Sequence, residues 1–175
     1  MKKHYYNEGL FSEIYLEDIT QKLDQTDVVK SLDVLREYRS YANFDSINTW
    51  KNTYVHQVLS ALGFYPNPTN QHITQLYNLG DSIDASPLGI CYVLLPLENL
   101  DNTTIGRNWS EKVISTLRMH HLEWGLLTNG KQWRIYHQNE PTPYETYLEI
   151  NLETILEEKA IGAYQIFHKF MQRSE

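Results

Sequence analysis

The segment Glu123-Trp-Gly-Leu-Leu-Thr-Asn-Gly-Lys-Gln-Trp-Arg-Ile-Tyr136 constrains the fold more than any other part of this chain. Asn129-Gly130 is the dipeptide that a two-residue type I′ turn demands, because both central residues need positive φ. With that turn in place, Thr128 is expected opposite Lys131, Leu126 opposite Trp133 and Trp124 opposite Ile135. Trp124, Leu126, Trp133 and Ile135 then share one face of the hairpin, and Gln132 and Arg134 share the other. A strand pair with an aromatic-rich face must be covered, so the hairpin belongs to a packed core.

The rest of the chain supplies the cover. Its 175 residues suffice for one domain with a sizeable core, and 41% hydrophobic with 21% charged residues is ordinary for a globular protein. Ser12 can cap a first helix to about Leu23. Thr26 or Asp27 can cap a second, with Val28, Leu32, Leu35 and Tyr38 on one side. Asp45 or Ser46 opens a stronger helix, in which Ile47, Trp50, Tyr54, Val55, Val58, Leu59 and Leu62 recur at helical spacing before Gly63 stops it. Phe64-Tyr-Pro-Asn-Pro-Thr69 reads as a loop. His72 to Leu79 alternates as a strand, Gly80 to Pro87 is a turn or loop, and Leu88 to Leu95 is an apolar run fit for the centre of a covered sheet. After a polar connection, Asn108 and Glu111 make a capping-box-like helix start. Beyond the hairpin, Tyr144 to Asn151 reads as a strand, and Asn151 caps a last helix. The expected class is α/β (α+β), a central mixed sheet flanked by helices.

Composition narrows function. A net charge of −7 opposes tight, sequence-independent binding to nucleic acid, and no Lys or Arg occurs between Asn52 and Gly106. No apolar run approaches the roughly 20 residues of a membrane span. The amino terminus lacks the apolar segment of a secretory signal, and the single cysteine, Cys91, has no internal disulfide partner. These point to a cytoplasmic protein without a membrane partner. The seven histidines, including the adjacent His120 and His121, show no metal-ligand spacing. No nucleophile elbow, phosphate-binding loop, dinucleotide fingerprint or adenine-methyltransferase motif is present.

The stretch Trp124-Gly-Leu-Leu-Thr-Asn-Gly-Lys-Gln-Trp-Arg-Ile-Tyr136 resembles the Thr-Asn-Gly hairpin that follows the nuclease core in restriction enzymes. It is similar to the amino-terminal PD-(D/E)xK domains of type I and type IIG restriction–modification proteins. Val58-Leu-Ser-Ala-Leu-Gly-Phe64 resembles the end of their first core helix, and Pro143-Tyr-Glu-Thr-Tyr-Leu-Glu-Ile-Asn-Leu152 the strand after the hairpin. The resemblance implies a restriction-endonuclease-like core over residues 45–152. It leaves residues 1–44 as an amino-terminal helical extension, and 153–175 as a carboxy-terminal helix packing on the core or leading to a further domain.

In that family an acid on the first core helix, an Asp at the start of one strand and a Glu-x-Lys on the next serve a divalent metal and its activated water. Here the first core helix offers Asn48, Thr49 and Asn52. Asp81 or Asp84 could stand in for the Asp. The next strand reads Tyr92-Val-Leu-Leu-Pro-Leu-Glu98, with Glu98 its nearest acid and no lysine, so Lys112 on the following helix is the substitute that remains. The resemblance therefore implies a degenerate site. An active enzyme would use Asp81 or Asp84, Glu98 and Lys112, with Mg2+ held by Asp84 and Glu98. An inactive one needs no cofactor. Lys131 and Arg134 are the expected phosphate contacts if DNA is a partner, and a methyltransferase or other restriction–modification domain is the expected protein partner. Three readings follow: a non-catalytic docking or DNA-contacting domain, an active endonuclease with a rearranged site, and an interaction module with no nucleic-acid role.

Overall fold

The computed structural model describes residues 4–20, 25–69, 75–102 and 108–172. One seven-stranded mixed sheet runs through the molecule in the order β1-β7-β6-β5-β4-β3-β2. The strands are β1 Tyr5–Asn7, β2 Tyr65–Pro68, β3 Leu76–Gly80, β4 Gly89–Val93, β5 Trp124–Thr128, β6 Gln132–His137 and β7 Tyr147–Asn151. Neighbours pair antiparallel except β4 and β5, which run parallel and are joined through a helix, α5 (Trp109–His120). That exception follows from connection length, since parallel neighbours need a crossover whereas antiparallel ones need only a turn.

Helices cover both faces. On one side lie α1 (Glu13–Thr20), α2 (Gln25–Tyr41), α3 (Ile47–Trp50), a π-helical turn (Lys51–Val55), α4 (His56–Ala61), α6 (Leu152–Glu158) and α7 (Ile161–Met171). Their Leu16, Leu32, Trp50, Val58, Ile155 and Phe167 pack with Cys91, Val93, Leu126, Trp133 and Ile135 of the sheet. On the other side, among the described helices, α5 packs Val113, Ile114 and Leu117 against Ile90, Tyr92, Leu127 and Tyr136. β4 is buried at all five positions, as a strand covered on both faces must be.

Local signals act at many boundaries. Ser12 Oγ accepts from Tyr15 N, Ser46 Oγ from Thr49 N, Asn108 Oδ1 from Glu111 N and Asn151 Oδ1 from Thr154 N. Each occupies a donor that a helix start leaves unpaired. Gly63 ends the α4 segment with φ +87°. The strand expected over His72 to Leu79 is observed as Leu76–Gly80, its first residues lying outside those described. The expected final helix is two, broken at Lys159 in the left-handed conformation (φ 51°).

Three expectations are corrected. The segment Phe64–Thr69 is not a loop throughout: it contains edge strand β2, whose prolines are tolerated because an edge needs donors on one side only. The amino-terminal segment contributes strand β1, paired with β7, as well as helices. The hairpin register differs by two residues: Thr128 lies opposite Trp133, Leu126 opposite Ile135 and Trp124 opposite His137. Gly130 takes positive φ (+83°) and Asn129 does not, so a type I′ turn is not formed. Instead the Asn129 carboxamide accepts from Lys131 N and Gln132 N, and Thr128 Oγ1 accepts from Gly130 N while donating to Gln132 O. Because side chains alternate with a period of two, a two-residue slip leaves every side chain on its expected face.

The tip of this hairpin sits against the first core helix. A Cβ added to Gly130 would lie 2.1 Å from Trp50 Cζ2. Gly130→Ala combines that overlap with an unfavourable φ, and should cost about 2–4 kcal/mol of stability. Urea denaturation checks this; an unchanged midpoint would mean that Trp50 moves aside freely.

Candidate functional site

The polar residues of the sheet gather where β4 and β5 end and where β6 and β7 extend beyond α5. The chain turns after β4, and the Glu98 carboxylate accepts from Leu95 N at 2.7 Å. Asn129 Nδ2 donates to the Glu98 carbonyl at 3.0 Å and reaches Gln132 Oε1 at 3.4 Å. Gln132 Nε2 donates to Glu149 Oε1 at 3.1 Å. Arg134 Nε donates to Glu149 Oε2 at 2.5 Å, and Arg134 Nη2 pairs with Asp101 Oδ1 at 2.8 Å. The guanidinium also stands 4.3 Å from the centre of the Tyr147 ring. A cleft of about 340 Å³ opens here, its walls including Glu8, Asp101, Ser110, Arg134, Tyr144 and Tyr147.

Arg134 and Glu149 are both buried, while Asp101 is exposed. Burial works against the charge on Arg134, but Tyr136 and Glu149 act the other way and prevail, so its affinity for a proton is raised. Burial raises Tyr136 as well, and its hydroxyl lies 3.0 Å from that of Ser110. A buried pair of this kind is held by mutual neutralisation, since either charge alone would lose its hydration without compensation. The chemistry available is structural cross-linking of the β4–α5 connection to β6 and β7.

Arg134 is one of the two phosphate contacts expected if DNA is a partner. It points to the expected face, but the Asp101 segment and β7 enclose it with two carboxylates. Lys131, the other expected contact, is half-buried at the hairpin tip, where its carbonyl accepts from Glu153 N at the start of α6.

The catalytic candidates are not brought together. Asp81 and Asp84 are exposed in the turn between β3 and β4, beside the first residue of β4. Glu98 follows the last residue of β4. A five-residue strand between them sets a separation on the order of 15 Å, too far for one ion to be shared by Asp84 and Glu98. Lys112 stands over the Trp109 ring at 4.5 Å on α5. Among the described residues, no group of three or more His, Cys, Asp or Glu is arranged to hold a metal ion. Asn48 and Asn52 are exposed and Thr49 half-buried.

A different residue from the first core helix does reach the sheet. Lys51 is 5% exposed, and its ammonium lies 4.2 Å from the centre of the Tyr77 ring. Tyr77 is paired with Cys91 across β3 and β4. Burial lowers the Lys51 pKa from its ordinary 10.5, raises the Cys91 thiol and pushes Tyr77 up to about 12. The signal was present in the sequence. Lys51, Tyr54, Val55 and Val58 recur at helical spacing, which puts the lysine on the helix's buried stripe. A charged residue interrupting an apolar stripe is the kind of exception worth following.

Comparison of the chain with protein-family models, with curated proteins and with solved structures returns no match.

Glu149→Ala strands a buried guanidinium and should cost about 3 kcal/mol, whereas Asp101→Ala removes an exposed partner and should cost less than about 1 kcal/mol. Equal losses in urea denaturation would refute the buried pair as the main tie. For Lys51, a proton affinity lowered in the fold means that stability is withheld at neutral pH and returns as pH rises through the unfolded value. The stability of Lys51→Met relative to the parent should be highest near pH 7 and decline towards pH 10.5. A difference constant with pH would show that packing, not charge, sets it.

Proposed function

We propose that this chain is a nuclease-like domain of the restriction–modification class that has no catalytic role and serves to dock another domain or subunit. The observation that carries the reading is the course of the chain from α4 to β5: helix, three strands, helix and a parallel strand, followed by the Thr128-Asn129-Gly130 hairpin. That order is compatible with a PD-(D/E)xK core, and the hairpin is the element on which the resemblance rests.

The absence of catalysis rests on what occupies the corresponding sheet. Cys91 and Val93, two residues apart on the helix-covered face of β4, are fully buried where a Glu-x-Lys pair would have to present its side chains. The lysine of this region belongs to the π-helical turn and is packed on Tyr77. The acids that remain, Asp81, Asp84 and Glu98, are divided between the two ends of β4.

Docking is favoured over DNA contact because Arg134 is neutralised from two sides and the chain carries a net charge of −7. A set of aromatic side chains at the α1, α7 and β5 surface also supports it. Phe11 stacks on Trp124 and packs on Phe170, with Tyr15 exposed against both Phe11 and Phe170. A methyltransferase or other restriction–modification domain is the partner class this reading names.

With magnesium or manganese, duplex and single-stranded DNA should remain intact in the presence of the protein. Metal-dependent cutting abolished by Asp84→Ala or Glu98→Ala would overturn the reading. Binding to DNA at low salt that falls steeply as salt is added would replace docking by DNA contact, because released counterions dominate such binding.

A further inference from the structure

Asn129-Gly130 is a chemical hazard as well as a turn. An asparagine followed by glycine is open to attack on its own side chain, because no Cβ shields the next backbone nitrogen. The Gly130 nitrogen, on losing its proton, can bond to Asn129 Cγ, and the Cγ–Nδ2 bond breaks to release ammonia. The resulting five-membered imide takes up water at either carbonyl, giving aspartate or isoaspartate. The net change is one water consumed and one ammonia released, with no oxidation or reduction.

The polar atoms of that reaction are all held by hydrogen bonds elsewhere in the fold. Asn129 is 3% exposed. Its Oδ1 accepts from Lys131 N at 3.0 Å and Gln132 N at 2.9 Å. Its Nδ2, the departing nitrogen, donates to the Glu98 carbonyl at 3.0 Å. The Gly130 N–H, the nucleophile's source, donates to Thr128 Oγ1 at 2.8 Å. Trp50 closes over Gly130. For Cγ to meet the Gly130 nitrogen, the carboxamide must leave four hydrogen bonds, a second one from Nδ2 to Gln132 Oε1 included, and the N–H a fifth.

We propose that Asn129 is a gated self-modification site: the closed hairpin tip suppresses imide formation, and opening of the tip away from the turn after β4 releases it. The product cannot rebuild the tip. Aspartate puts a carboxylate against the Glu98 carbonyl in place of a donor, in a position where an unpaired charge is disfavoured. Isoaspartate also lengthens the backbone by one methylene and disturbs the pairing of Thr128 with Trp133. A chain that opens for long is therefore marked covalently as having done so. This inference rests on the hairpin chemistry alone and is independent of the reading of function above.

The test is incubation of the intact protein at mildly alkaline pH, with peptide mapping of amide-to-acid conversion at residue 129. The same chain held unfolded in urea serves as reference. Conversion requires opening, so the folded protein should react at least about tenfold more slowly than the unfolded chain. Thr128→Val frees the Gly130 N–H while keeping the side-chain volume, and should speed conversion several-fold in the folded state. Equal rates for folded and unfolded parent would overturn the proposal, as would a folded Thr128→Val that reacts no faster than the parent. If that variant does not fold, amide exchange at Gly130 decides. Conversion and exchange in the parent should rise together as sub-denaturing urea is added, and conversion that ignores urea would overturn the gate.

Discussion

The contact between Gly130 and Trp50 is the joint on which the rest of this structure turns. The backbone of the hairpin tip comes so close to the indole that no side chain fits between them. That approach seats β5 and β6 on the first core helix. Trp50 packs on Tyr54, and Arg39 of α2 stands over both rings, 5.7 and 5.9 Å from their centres, while pairing with Glu153 at the start of α6. Helices distant in sequence are thus assembled around one tryptophan.

The opposite face works by a different physics. There α5 covers only the central strands, and β6 and β7 extend past it. Arg134 and Glu149 are buried beneath the connection that carries Asp101, and Asn129 and Gln132 continue the hydrogen-bonded chain to the turn at Glu98. Polar groups shielded from water must find partners, and here the partners join the connection after β4, the β5–β6 hairpin and β7. Such a network specifies one arrangement of loop and strands. It also consumes the groups that a ligand would have met, which is why an arginine that looks available in the sequence is closed in the fold.

Much of the scaffold was legible in advance, for local reasons. The caps at Ser12, Ser46, Asn108 and Asn151 act through hydrogen bonds spanning three residues. The uninterrupted apolar run of β4 announces burial on both faces. Asn-Gly marks the hairpin and its two faces but does not set its register. The register is not legible because a carboxamide and a hydroxyl, rather than a pair of positive φ angles, close the loop. β2 is hidden because proline speaks against a strand, and only position in the sheet shows whether a missing donor matters. Residue type alone suggests a solvated surface for Lys51, whereas its helical phase puts it against Tyr77.

The amino-acid sequence by itself determined the alternation of helices and strands, which side chains face inward, and the absence of a Glu-x-Lys on the central strand, because these depend on neighbours a few residues apart. Tertiary structure alone decided that Arg134 is enclosed by Asp101 and Glu149 and that Gly130 meets Trp50. Those pairings join residues far apart along the chain, and their distances exist only once the sheet has set its order and register.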